Sequence, residues 1–544
     1  MKKYKIIISI MFGLLVNSLF TGCSLDEESI RIPVADTYYK TEEGAKKLIN
    51  ACYSYTRIYG GATMWYITEQ GTDLYTAGGD GFTAFCRYDI YSYDYVAYGF
   101  WYSVYDGITA CNTLLDRADG IEASSSVVDN LKGQAHFLRG FFFANLAMQF
   151  GGVVLQVHEV TQVETTAQRS TEQEVWNQAI SDLLEAEKLL PTTQSDYGRA
   201  TKAAAQAFLA RVYLWTKQWA NAATYAKKVI DSNQFKLLDD FGALWDCNNQ
   251  LNEEVIWSVQ WSKDLKLNGG SNTSGNWGTN IFMGRYDIHT PALIRTQEYG
   301  RPFRYFMPTR WFLMMLHENQ WWDSRFDRAF RYQWNANNDV PDPAHPEMVF
   351  GDTALFVPPY AVSTAEKERT KNKYVTLDLN YMYDETTGIP NTREIFPSLL
   401  KFYDPERPTL PDPGSTDVVV LRLAEMYLIA AEALMEQGNK EEGVAYLNVL
   451  RKRAAWTDEL YEQAKLKPED LTTDAILLER ALELAGECQR WPDLKRTGKL
   501  LERVNLCNPD AKVLLKEYHL LRPIPQTFLD RLTNKDEFPQ NPGY

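Results

Sequence analysis

The sequence predicts a mainly α architecture in which paired helices support a large loop-rich lobe. Helical periodicity dominates two well-separated stretches, whereas residues 257–413 between them are rich in Gly, Asn, Pro and aromatic residues and keep no sustained period. The two strongest helical units centre on Ala210 and Ala431, so the scaffold is not one tandem array but is split by an insertion. The chain accordingly divides into a leader over 1–22, an N-terminal helical scaffold with an aromatic loop region over 23–256, the inserted lobe over 257–413, and a C-terminal helical scaffold with a closing segment over 414–544.

The leader carries Lys2, Lys3 and Lys5, an apolar run from Ile6 to Val16, and the small-residue approach Phe20-Thr21-Gly22 to Cys23. That run is too short to remain as a bilayer-spanning helix, so the pattern predicts cleavage and acylation of Cys23, which tethers a soluble body to a membrane surface. Formal net charge is -15, and -18 once the three leader lysines are removed, which repels a phosphate backbone and argues against a nucleic-acid partner. The other six cysteines form no C-x-x-C pair, and neither an H-E-x-x-H nor a G-x-S-x-G motif occurs. Scattered buried thiols are expected, with no cofactor and no metal.

The elements follow in order. Asn130 to Phe150 and Gln173 to Leu190 have helical patterns, the second ended by Pro191, whose ring and missing N–H forbid continuation. Ala179, Leu183, Ala186 and Pro191 have the spacing of the back half of a tetratricopeptide unit. Lys202 to Thr216 and Asn221 to Asp231 form the next pair, with Ala210, Ala222 and Ala226 permitting close approach. Further on, Leu423, Met426, Tyr427, Ala430, Ala431 and Leu434 make one apolar stripe that Gly438 ends, and Val444, Leu447 and Leu450 face it from a partner helix. Trp101, in phase with Val104, Tyr105 and Ile108, is expected in the core.

The C-terminal third holds Arg422-Leu-Ala-Glu425-Met-Tyr427-Leu-Ile-Ala-Ala431-Glu432-Ala433, then Glu479-Arg480-Ala-Leu-Glu483-Leu484, Glu487 and Arg490-Trp491-Pro-Asp493-Leu494-Lys-Arg496. It also holds Leu521-Arg522-Pro523-Ile524-Pro525-Gln526, and ends in Gln540-Asn541-Pro542-Gly543-Tyr544. These motifs, in this order, resemble the SusD/RagB family of outer-membrane lipoproteins. Asp323-Ser-Arg325 and the acidic patch Cys23-Ser-Leu25-Asp26-Glu27-Glu28 are similar to family features as well. The resemblance implies a SusD-like fold of tetratricopeptide-type pairs and no enzymatic activity. It also implies capture of an oligosaccharide at the cell surface for delivery to a SusC-like TonB-dependent transporter. The RagB branch implies a peptide ligand as the alternative.

A saccharide site needs ring faces that pack on pyranose C–H groups, with hydrogen-bonding side chains at the rim. Two stretches offer that mixture, and the resemblance places ligand contacts in the same regions. Residues 65–88 contribute Asp73, Tyr75, Arg87 and Tyr88, beside Trp65, Tyr66 and Phe82; residues 272–301 contribute Asn276, Trp277, Tyr286 and Tyr299, beside Asn272 and Asn280. Trp277, among Gly275, Asn276 and Gly278, is the foremost candidate for an exposed platform. A rival reading makes Glu479, Glu483 and Glu487, one helical turn apart, the acid and nucleophile of a surface glycoside hydrolase. The competing structural reading pairs them with Arg480, Arg490 and Arg496. Asp404, Asp412 and Asp417 lie among prolines as weak calcium candidates.

Overall fold

The computed structural model describes residues 35–268 and 275–544; the leader, Cys23 and Asn272 lie outside them. Helix α1 (Glu42–Ser54) is capped by Thr41, whose hydroxyl accepts from the Gly44 N–H at 3.0 Å. After α2 (Ala62–Thr68) come the long α3 (Tyr95–Arg117) and α4 (Ser125–Phe150). Helix α5 (Glu172–Leu189) opens with a reciprocal capping box between Thr171 and Glu174 and stops just before Pro191. Close packing of α4 on its neighbours depends on absent side chains: a Cβ on Gly107 would meet the Phe142 ring at 2.5 Å, and one on Gly140 would meet Leu183 at 2.9 Å.

Helices α6 (Lys202–Trp215) and α7 (Trp219–Asp231) form the next pair; far along the chain, α8 (Leu423–Glu436) and α9 (Lys440–Ala454) form another. The gap between them is closed twice, by α7 packing on α8 and by strand pairing. Of the four strands that matter here, β1 (Tyr75–Ala77) pairs antiparallel with β3 (Phe306–Pro308), and β2 (Val255–Val259) with β4 (Val418–Arg422). Since β2 precedes and β4 follows the loop-rich stretch, their ladder ties its two ends to the helical frame.

One hydrophobic core runs through the helical frame from Ala45 to Phe538, and a second, including Tyr286, Tyr299, Trp334 and Phe396, lies within the loop-rich stretch. Helix α10 (Thr473–Leu484) and the short α11 (Arg490–Arg496) complete the frame. Trp101 is buried, as its helical phase predicts. All six cysteines of the described residues are free thiols, five of them buried.

Candidate functional site

The pairing of β1 with β3 decides which surface loops meet. Ala77 faces Phe306, so the chain leaving β1 runs alongside the chain entering β3. Gly78 donates its N–H to the Tyr305 carbonyl at 3.1 Å, and a Cβ there would fall 2.1 Å from the Arg304 carbonyl oxygen. Only glycine permits this approach. On its other side the Arg301–Tyr305 segment is hydrogen-bonded to the turn of helix Gly278–Ile281. Phe303 N–H donates to Asn280 O at 3.0 Å and Tyr305 N–H to Ile281 O at 2.9 Å, while Trp277 N–H is held by Gly60 O at 2.8 Å.

Three backbone approaches thus bring together rings from four parts of the chain. Trp277 stacks on Phe303 (centroids 5.5 Å, planes 22° apart), Phe303 on Tyr305 (5.6 Å, 26°), and Tyr305 on Tyr66 (6.0 Å, 27°). Tyr66 packs on Phe82 at 4.8 Å, and Phe82 meets Tyr95 edge-on at 5.6 Å. Tyr66 is the buried root of this ladder; Phe82 and Tyr95 are 41% and 58% exposed, and Trp277, Phe303 and Tyr305 are half-buried. This packing fixes the orientation of the rings and leaves all but Tyr66 partly open to solvent.

The rim is polar. The Arg301 guanidinium lies 4.8 Å over Phe303. Arg304 donates to Asp80 at 2.6 Å and to Glu394, and its backbone is left-handed (φ 51°), a conformation that a non-glycine residue keeps only when its surroundings impose it. Burial raises the Tyr95 and Tyr305 hydroxyls above the ordinary phenol range, and both are neutral at neutral pH. The carboxylates Asp80 and Glu394 are both bound to Arg304. The arrangement is suited to holding a flat, hydroxylated ligand in place.

Of the sequence-predicted site residues, Trp277 joins the ladder, as do Tyr66 and Phe82 from the mixture over 65–88. The others are corrected by their burial or their partners. Tyr286 and Tyr299 belong to the second core, with hydroxyls donating to Gly300 O at 2.8 Å and Asn335 O at 3.0 Å. Asn276 is buried, spending its amide on Thr416 O and on Gly278 N–H. Tyr75 packs among Phe282, Phe306 and Phe312, and Tyr88 is buried with its hydroxyl on Gly71 O. Asp73 is fully buried and accepts from Arg490 at 2.7 and 2.6 Å and from Arg503 at 3.1 Å. Arg87, though partly exposed, is spent on Asp510 at 2.7 Å. Asn280 is buried as well. The functional rings that sequence reasoning missed are Phe303, Tyr305 and Tyr95. Tyr95 opens α3 directly after a turn, and Phe303 and Tyr305 lie in an irregular segment, so none of the three had a periodic signal of its own.

The glutamate stripe has a structural task, with partners other than those expected. Glu483 accepts from Arg325 at 2.9 Å, Arg422 at 2.6 Å and Arg453 at 2.5 Å; Glu487 accepts from Arg422 and Lys401; Glu479 pairs with Arg325 and Arg451. Arg480 and Arg496 turn instead to Asp493, and Arg490 to Asp73. Burial alone pushes the Glu483 carboxyl up, but Arg453, Arg422 and Arg325 outweigh it and hold it well below the usual carboxylate range. Glu479 and Glu483 have no solvent exposure, so a surface glycan cannot reach them. Asp323 accepts from Arg325 at 2.6 Å, which makes Asp-Ser-Arg a link in this same network. The calcium candidates do not converge: Asp404 binds Ser415, Asp412 binds Thr409 and Asp417 binds the Trp261 N–H, and among the described residues no cluster of acidic, Cys or His side chains offers a metal cage.

Comparison with known proteins bears on what this frame is. Residues 253–544 match a family model described as the SusD family, and residues 62–214 match one described as starch-binding associating with outer membrane. The chain is similar to SusD-like protein P2 of Formosa agariphila, 27% identical with 100% of both chains covered. It is similar to the starch-binding protein SusD of Bacteroides thetaiotaomicron, 25% identical over 80% of this chain and 76% of that protein. Among solved structures, a laminarin-binding SusD-like protein superposes with TM-score 0.70 at 24% identity, covering 93% of this chain and 100% of that one. Surface glycan-binding protein A of Bacteroides thetaiotaomicron, in complex with laminarihexaose, superposes with TM-score 0.68 at 19% identity over 92% and 99% of the two chains. At these identities the superpositions speak to the fold.

Proposed function

The chain belongs to the SusD family, and on that footing we propose that it is a surface-exposed lipoprotein that binds an oligosaccharide on the Trp277–Tyr95 ladder without cleaving it. Delivery to a SusC-like TonB-dependent transporter, with anchoring in the outer membrane through lipid on Cys23, completes the proposal. One observation carries it: Trp277, Phe303, Tyr305, Phe82 and Tyr95, each partly open to solvent, are packed into one strip on the buried ring of Tyr66, flanked by Arg301 and Asp80. Tyr75 and Tyr286, by contrast, are sealed in the core. The names of the relatives support the ligand class, since they include starch-binding and laminarin-binding proteins.

Stacking plus rim hydrogen bonds gives affinities in about the micromolar-to-millimolar range, which suits a protein that has to release its cargo. Affinity electrophoresis across purified polysaccharides tests the proposal. Wild-type protein is expected to be retarded by at least one glycan, with Phe303→Ala losing retention about tenfold and Tyr95→Ala losing it severalfold. Tyr95 is more than half exposed, so its removal is expected to leave thermal stability nearly unchanged. Unaltered retention in both variants removes the ladder from the binding site; retardation by no glycan, with binding to peptides, returns the peptide alternative.

A further inference from the structure

We propose that the protein carries a second saccharide subsite, in a cleft divided by Tyr197, separate from the aromatic ladder. Two adjoining cavities of about 390 and 570 Å³ share the wall Asp196–Arg199 together with Ser258. Both volumes fall in the range of about 300–1,000 Å³ occupied by small-molecule sites. The Tyr197 ring is 44% exposed and lines both cavities. Its hydroxyl donates to the Gln250 carbonyl at 3.0 Å, which orients the ring.

The loop that presents Tyr197 is held from several directions. Trp257 Nε1 donates to Gly198 O at 3.0 Å, the Ala200 N–H donates to the Tyr53 hydroxyl at 2.8 Å, and Gln194 Nε2 donates to Ala200 O at 2.7 Å. Gly198 has φ 86°, and a Cβ there would lie 2.4 Å from Gln260 Cγ, so only glycine fits. A wall fixed before binding has little ordering entropy left to lose when a ligand arrives.

The lining matches a polyol. Thr192, Thr193 and Gln234 are exposed on the larger cavity, and their side chains make no hydrogen bond among the described residues, which leaves hydroxyl and amide groups for a ligand. The charged pair on the wall, Arg199 and Asp196, is 3.7 Å apart and offsets itself, while Arg57 of the smaller cavity is held by the Gln260 and Leu267 carbonyls. On the smaller cavity, Arg57 stacks 5.1 Å from the Trp261 ring, and Trp261 packs over Gly60, whose carbonyl holds Trp277.

The inference rests on the saccharide-binding reading for its ligand class, and the test separates the two. Wild-type protein, Phe303→Ala, Tyr197→Ala and the double variant are titrated calorimetrically with laminarihexaose, maltohexaose, cellohexaose and xylohexaose. Phe303→Ala is expected to keep a weaker binding event that adding Tyr197→Ala reduces at least about fivefold, while Tyr197→Phe, which keeps the ring, retains it. Thr193→Val with Gln234→Ala provides a cavity change that removes none of the hydrogen bonds holding the loop and is expected to weaken the same event. If Phe303→Ala abolishes all binding and the Tyr197 and Thr193/Gln234 variants bind as wild type does, the second subsite is overturned and the ladder stands. If Tyr197→Ala abolishes binding and Phe303→Ala leaves it intact, the cleft stands and the ladder falls. If none of the four sugars binds the wild type, both are overturned.

Discussion

At the scale of single residues, what decides a side chain's role is whether its polar groups are already engaged. Tyr286, Asn276 and Asp73 have the residue types of a sugar site, yet each finds its partners inside the protein, and nothing in their local sequence distinguishes them from Phe303 or Tyr95. Sequence patterns report which residues are amphipathic; burial follows from pairings hundreds of positions apart, such as Asp73 with Arg490. The buried carboxylates make this measurable. Glu483→Gln leaves Arg325, Arg422 and Arg453 facing a neutral amide, and is expected to cost about 3–5 kcal/mol in chemical denaturation; a loss under 1 kcal/mol would mean that the network is slack. Because the native Glu483 value is depressed, its stabilisation is complete above the unfolded value near 4.5 and is lost as pH falls through the native value. Glu69 has the opposite sign: burial raises its carboxyl to about 8, so the folded state holds a proton that the unfolded chain releases above about 4.5. Between those values stability declines by roughly 1.4 kcal/mol per pH unit from this group alone. Glu69→Gln is therefore expected to flatten the decline in urea midpoint from pH 5 to pH 8, and parallel curves for variant and wild type would refute the assignment.

At the scale of elements, helices were legible and their meeting points were not. The patterns over 130–150, 173–190, 202–216 and 221–231 correspond to α4, α5, α6 and α7 within a few residues, because a 3.6-residue apolar period, Thr-x-x-Glu and Pro191 are local signals. The ladder instead depends on β1 and β3, three residues each and over 200 positions apart, and strands that short carry no period of their own. Gly78 is the hinge of that pairing. Gly78→Ala places a methyl against the Arg304 carbonyl, a backbone atom that cannot rotate away, so the 79–82 and 301–305 segments have to separate. The expected result is a loss of glycan retention comparable to Phe303→Ala with only modest loss of melting temperature, since most of the core lies elsewhere. Retention equal to wild type would show that the two segments need not touch for binding.

At the scale of the whole molecule, the split of the helical frame was legible because the Ala210 and Ala431 units share a pattern across a stretch that lacks it, but closure of the split came from contacts without a sequence signature, α7 on α8 and β2 with β4. That closure fixes the functional geometry. By tying both ends of the loop-rich stretch to one frame, it holds Trp277 and Arg301–Tyr305 against loops that arise from residues 60–95, and so turns scattered rings into one strip. A rigid strip is useful for nutrient capture only if it is retained at the cell, and the described residues contain no helix long and apolar enough to cross a membrane. The proposal assigns retention to lipid on Cys23, from the leader pattern that precedes it, and that chemistry requires the thiol. Cys23→Ser is expected to shift the protein from the membrane pellet to the soluble fraction while the purified protein binds glycan as wild type does. Membrane association that survives the substitution would place the anchor elsewhere and leave the ladder's binding role intact.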